Sequence, residues 1–261
     1  MKIKLPGIEL HLSTRWIIVR HRAGVRPDRI WYRDPHQRDR IEDYLELVSQ
    51  RPELFADADQ LRISTDRAAM LEFEQKTGKK VGIVHNNAPY QYILSDLIVG
   101  QKPFAYIRVV PCEREAGTVM LPRWKDAGGN EYFGVLRIYR HALRSYALEL
   151  PRGHLDLGLT PEENAVKELR EEFGISRRSV RSLVELGRGY ADSGLTSGLV
   201  RFYLADVTGQ RPTASCGHEG IRGGIWLTRR ELLDAIRDGA ITDGMTMNAL
   251  LHFLLKTEHI V

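Results

Sequence analysis

The chain has few cysteines: Cys112 and Cys216 are the only two among 261 residues. That scarcity excludes a disulfide scaffold and makes a reducing, cytoplasmic setting the default expectation. Long apolar runs are missing too. Nothing approaches the roughly 20 apolar residues that a membrane helix needs. The opening MKIKLPGIEL has no stretch apolar enough for a secretory signal, so no membrane partner is expected. Internal repeats and low-complexity linkers are also lacking. What is present is apolar material for a sizeable core, 43% of residues, which sets aside global disorder.

Charge is placed unevenly. Residues 1–40 hold ten Lys or Arg against four Asp or Glu, a balance of +6, so the remainder carries 4 − 6 = −2. A basic end on a mildly acidic body fits contact with an anion, an acidic surface or nucleic acid, and equally a solvated basic face. In this end Trp16, Trp31 and Tyr32 interleave with Arg15, Arg20, Arg22, Arg26, Arg29 and Arg33. Aromatics beside arginines can stack bases and hold phosphates. Packing against a neighbouring region, or a homodimer contact, is the favoured reading, with nucleic acid behind it.

Periodicity places the elements. Trp16–Val19 reads as a short strand. A helix is expected over Asp39–Gln50, with Ile41, Tyr44, Leu45 and Val48 at helical spacing. Thr65 or Asp66 can cap a second helix through Met70, Leu71 and Phe73, ended by Gly78. A soft boundary near residue 80 gives two regions, 1–80 and 81–261. Beyond it, strands are expected at 92–99, 105–110, 118–121, 132–139, 182–186, 200–205 and 224–227. Helices are expected at 161–173, 229–237 and 245–255. The mixture implies an α+β or α/β/α sandwich with a mixed sheet, plus a small N-terminal α/β region.

The informative stretch runs from Gly153 to Ile175. Thr160 suits an N-cap, Pro161 the first helical position, and Glu163 completes a capping box. Gly174 is placed to end the helix. Val166, Leu169 and Phe173 supply a buried stripe. Glu168, Glu171 and Glu172 share another face, where like charges repel by a few tenths of a kcal/mol per pair. A hard divalent cation reverses that sign; a solvated acidic face is the plainer alternative. The preceding loop, Gly153-His-Leu-Asp-Leu-Gly158, allows close backbone approach.

Together these residues resemble the Nudix box: Gly, five residues, Glu, seven residues, then Arg-Glu-aliphatic-x-Glu-Glu-x-Gly-aliphatic. Gly153, Glu168, Leu169, Glu171, Glu172, Gly174 and Ile175 match without a gap over 23 residues. Two positions depart: the box Glu is Leu159 and the box Arg is Lys167. In the family those two side chains form a supporting pair. Asp156 also stands where many relatives carry Glu.

The resemblance implies a metal-dependent hydrolase of nucleoside-diphosphate compounds. It places Mg²⁺ or Mn²⁺ on Glu168, Glu172, Glu171 and the Arg152 carbonyl, with Glu171 also able to orient its neighbours. It implies a general base in a later loop. Glu219 is the first candidate, His218 a weaker one, and His154 only fills its loop. Looser similarity points to the ADP-ribose pyrophosphatase branch, with Arg137-Ile138-Tyr139-Arg140 and Leu148-Glu149-Leu150-Pro151 as the matching strand ends. Arg140 and Glu149 are therefore candidate substrate contacts, with surface strand charges as the competing reading. Two alternatives stay open: a catalytically weak ligand sensor, and an RNA-end or nucleotide-sanitising pyrophosphatase.

Overall fold

The computed structural model describes residues 39–57, 61–113, 115–213 and 220–257, together with the backbone of four strands before residue 39. The chain forms two compact units, 1–113 with 192–197, and 114–191 with 198–261. The side chains of the N-terminal aromatics and arginines singled out above lie outside the described residues. So do Cys216, His218 and Glu219.

In the first unit, β1 (Lys2–Leu5), β2 (Ile8–Leu12), β3 (Ile17–His21) and β4 (Asp28–Ile30) make an antiparallel sheet in chain order. A second sheet is centred on β7 (Gln91–Val99). It pairs with β5 (Arg62–Ile63), β6 (Gly82–Asn87) and β8 (Phe104–Pro111). Helices α1 (Arg40–Gln50) and α2 (Arg67–Thr77) begin at Asp39 and Asp66, whose carboxylates accept backbone N–H bonds. Their apolar faces, Ile41, Tyr44, Leu47, Met70 and Phe73, share one core with Val81, Leu94, Leu97 and Val110 of the sheet. Two short amphipathic helices need such a sheet to cover them. The division expected near residue 80 consequently falls inside this unit.

The second unit is built on a seven-stranded mixed sheet. Its path runs β11 (Ser145–Glu149), β10 (Glu131–Arg140), β9 (Glu115–Lys125), β14 (Leu199–Val207), β13 (Val180–Tyr190). β12 (Arg152–His154) pairs with β9, and β15 (Ile221–Thr228) with β10. Among the described strands of this sheet, only β9 and β14 pair in parallel. Alternation along β10 decides the layers. Phe133 and Val135 join a core with α4 (Arg229–Arg237) and α5 (Gly244–Thr257), contributed as Leu232, Met245, Ala249 and Phe253. Leu136 and Ile138 join a core with α3 (Pro161–Phe173). The result is the expected α/β/α sandwich. Gly134 is where α3 comes closest: an added Cβ there would lie 2.8 Å from the Phe173 ring.

Candidate functional site

Helix α3 starts where its sequence dictates. The Thr160 hydroxyl accepts the Glu163 N–H at 3.2 Å, and Glu163 accepts the Thr160 N–H at 2.9 Å. Each such cap is worth about 1 kcal/mol. Gly174 closes the helix in the left-handed region at φ 67°. The buried stripe differs from expectation by one position. Ala165, Leu169 and Phe173 enter the core, while Val166 stays half-buried and lines an outer groove with Glu162 and Arg181. Ala165 and Leu169 are one full turn apart, so this stripe follows the helical repeat closely.

That rotation carries the acids inward. Glu168 is 9% exposed and Glu172 4%, which removes the solvated-face alternative for both. Glu171 remains half-buried. Strand β12 lies directly beneath. An added Cβ on Gly153 would run into the Glu168 carboxylate, which would have to move aside. A Cβ on Gly117 of β9 would in turn meet the Gly153 carbonyl oxygen at 2.1 Å. Two glycines on neighbouring strands thus let a helix carboxylate rest on sheet backbone.

The carboxylates meet backbone and cationic donors, Arg170 bonding Glu171 at 3.0 Å among them. Glu172 Oε2 accepts the Arg152 N–H at 2.8 Å. Lys167 Nζ lies 3.0 Å from Glu168 Oε1, 3.0 Å from Glu171 Oε2 and 3.1 Å from Asp156 Oδ2. Burial pushes the Glu168 carboxyl above the usual glutamate range, against the pull of Lys167. The bond from Lys167 holds Glu171 below that range. Burial opposes the charge on Lys167, but bonds to Glu168, Glu171 and Asp156 outweigh it and raise its pKa.

Beside this set, Glu149 is 1% exposed and fully engaged. Arg140 donates to both its oxygens, at 2.9 and 2.7 Å, and Arg152 Nη2 lies 2.6 Å from Oε2. Arg152 also reaches Asp243 Oδ1 at 3.0 Å. Asp243 Oδ2 accepts the Thr246 N–H and hydroxyl, both at 2.8 Å. Thr246 Oγ1 accepts the Leu150 N–H at 3.0 Å. The entry to α5 is thereby tied to the strand that leads into the box. Sequence reasoning missed Asp243 and Asn164 here. Asn164 is fully buried one turn before Glu168, and a polar residue on an otherwise buried face was the available signal.

The structure thus brings Arg140, Glu149, Arg152, Glu168, Glu171 and Glu172 into one neighbourhood of the second unit. A family model for the NUDIX domain matches residues 108–246, more than half of the chain. The chain belongs to the Nudix family. A protein of Caenorhabditis elegans named "Putative nudix hydrolase 2" is 31% identical over 102 residues, covering 39% of this chain and 45% of that protein. This Nudix chain therefore spans under half the length of that curated relative.

Whether a divalent cation fits can be judged from the donors. Carboxylates and a backbone carbonyl are the hard oxygen ligands that Mg²⁺ and Mn²⁺ take. The Gly153 cradle brings Glu168 onto the backbone of the segment holding the Arg152 carbonyl. Among the described residues, no three His, Cys, Asp or Glu side chains are arranged to hold a metal ion as they stand. Glu168 and Glu171 turn to Lys167, and Glu172 accepts the Arg152 N–H. The donor chemistry fits the cation, with Lys167 supplying the local positive charge. For the base candidate Glu219, the flanking Gly220 is placed: its carbonyl accepts the Tyr139 N–H at 3.0 Å. No helix among the described residues is long and apolar enough to cross a membrane.

Proposed function

We propose that this Nudix chain hydrolyses a phosphoanhydride in a nucleoside diphosphate linked to another moiety, ADP-ribose or another nucleotide sugar first. The observation that carries the reading is the burial of Glu168 and Glu172 against the β12 backbone, with Glu171 alongside. Buried acids gathered on one helix face, beside a backbone carbonyl, favour a cationic ligand. In this reading Glu168, Glu171, Glu172 and the Arg152 carbonyl hold Mg²⁺ or Mn²⁺. When bound, that ion neutralises diphosphate charge and lowers the pKa of an attacking water.

The chain's own residues supply the rest. Glu172 fixes the Arg152 backbone through its N–H. Glu149 orients the Arg140 guanidinium, whose side chain stays 33% exposed and able to meet a phosphate oxygen. Glu219 would take the proton of the attacking water. The residues matched by the family model, 108–246, would carry the hydrolase, with the basic N-terminal region serving packing or a homodimer contact. One observation favours a second reading, a catalytically weak ligand sensor: Lys167 occupies two of the proposed ligand carboxylates, and the box acid is Leu159.

The test is incubation with Mg²⁺ and ADP-ribose, GDP-mannose, NADH, dinucleoside polyphosphates and 5′-triphosphate RNA, reading mononucleotide, pyrophosphate and orthophosphate release. Turnover of a nucleoside-diphosphate compound is expected. Glu172→Gln should abolish it while preserving the circular dichroism spectrum. No turnover on any substrate sinks the enzyme reading, and tight binding without turnover selects the sensor. Cleavage of the RNA end alone redirects the substrate assignment to nucleic acid.

A further inference from the structure

The Lys167 ammonium has three donors, and three carboxylates surround it: Asp156, Glu168 and Glu171. Two of the three are cation ligands in the reading above, on which this inference rests. A cation taking Glu168 and Glu171 must displace the ammonium from both. Lys167 then needs a partner that stays behind.

Asp156 is built to be that partner. Its backbone N–H donates to Asn164 Oδ1 at 3.2 Å. Asn164, with no exposed surface, donates to Thr118 Oγ1 of β9 at 3.1 Å. The Thr118 residue is itself 1% exposed. The position of Asp156 is therefore set by the interior of the domain, although its side chain is 38% exposed. Leu159, where the box pattern has an acid, offers no carboxylate to Lys167.

We propose that Asp156 is a positioning residue that retains the Lys167 ammonium and so releases Glu168 and Glu171 to a divalent cation. Without it the ammonium has only those two glutamates as nearby carboxylate partners, and it competes with the metal for them. The effect runs through Lys167 and requires no contact between Asp156 and the metal.

The experiment is a Mn²⁺ titration of the full chain, followed by electron paramagnetic resonance of the free ion. Asp156→Asn should weaken Mn²⁺ binding about tenfold, the scale on which groups that orient metal ligands act. In a Lys167→Met background, the same substitution should change affinity by less than about twofold, because nothing is left to position. That second comparison holds even where Asp156→Asn alone disturbs the loop. Wild-type affinity in Asp156→Asn, or an equal loss in both backgrounds, overturns the inference while leaving the metal reading intact. A wild-type chain that binds no Mn²⁺ overturns both.

Discussion

Two acidic centres, one in each unit, are satisfied in opposite ways. In the first unit, Asp96 is 2% exposed and takes the Tyr44 hydroxyl and the Arg108 guanidinium as dedicated donors. Phe55 covers the group, with the Arg108 guanidinium 5.0 Å from its ring centroid. Burial and the Asp96 charge push the Tyr44 hydroxyl well above its usual pKa, so the phenol stays a donor. In the second unit, Glu168, Glu171 and Asp156 share one ammonium. A carboxylate with its own donors is finished by the fold. Carboxylates gathered on one ammonium divide their donor, a difference that burial alone does not report.

Breaking the first centre should give the largest stability effect. Asp96→Ala leaves Arg108 without its partner and is expected to cost about 3–5 kcal/mol, read from urea unfolding. Mn²⁺ affinity of the folded fraction should be unchanged. A fall in affinity as large as the fall in stability would end the contrast between the two centres.

Gly153→Ala should do the reverse. Its Cβ would lie 2.1–2.5 Å from the Glu168 carboxyl atoms, so that carboxylate must leave the β12 backbone. Mn²⁺ affinity should drop about 10- to 100-fold, with a smaller change in unfolding free energy. Unaltered affinity would show that the glycine cradle has no part in binding.

A third acid sharpens the rule at the smallest scale. Asp206 accepts Arg123 at 2.6 and 3.1 Å and the Ser182 hydroxyl at 2.9 Å. Burial raises its pKa, but the bonds from Arg123 and Ser182 outweigh that and hold it below the ordinary aspartate range. A depressed folded-state pKa stabilises above the unfolded value, and that stability is lost as pH falls through the folded one. Asp206→Asn should therefore be less stable than wild type by about 1 kcal/mol at neutral pH. The gap should close as pH falls below the ordinary aspartate range. A gap that persists into strong acid would assign the effect to packing.

Much of the second unit was legible because its signals are local. Thr160, Pro161, Glu163 and Gly174 bound α3 from within its own sequence. The three acids followed from helical spacing, and their burial needed the sheet. Val166 and Ala165 were indistinguishable by composition, and only the strand beneath chose between them. Short strands such as Arg62–Ile63 and Arg152–His154 escaped because pairing, and not propensity, makes them. The links among Arg140, Glu149, Arg152 and Asp243 span about a hundred residues of chain, and no periodicity reports them. The same holds for Asp156, whose bond to Lys167 closes only once the loop folds back on the helix.

The capping box at Thr160 also sets a rule for chain length. An extra residue ahead of Thr160 lengthens a loop, which a folded domain absorbs at little expense. An extra residue between Thr160 and Glu168 turns everything after it by about 100° around the helix axis. Glu168 and Glu172 would then take the core positions of Leu169 and Phe173, and Leu169 would take the exposed position of Arg170. Insertions are thus tolerated on one side of a single hydroxyl and ruinous on the other.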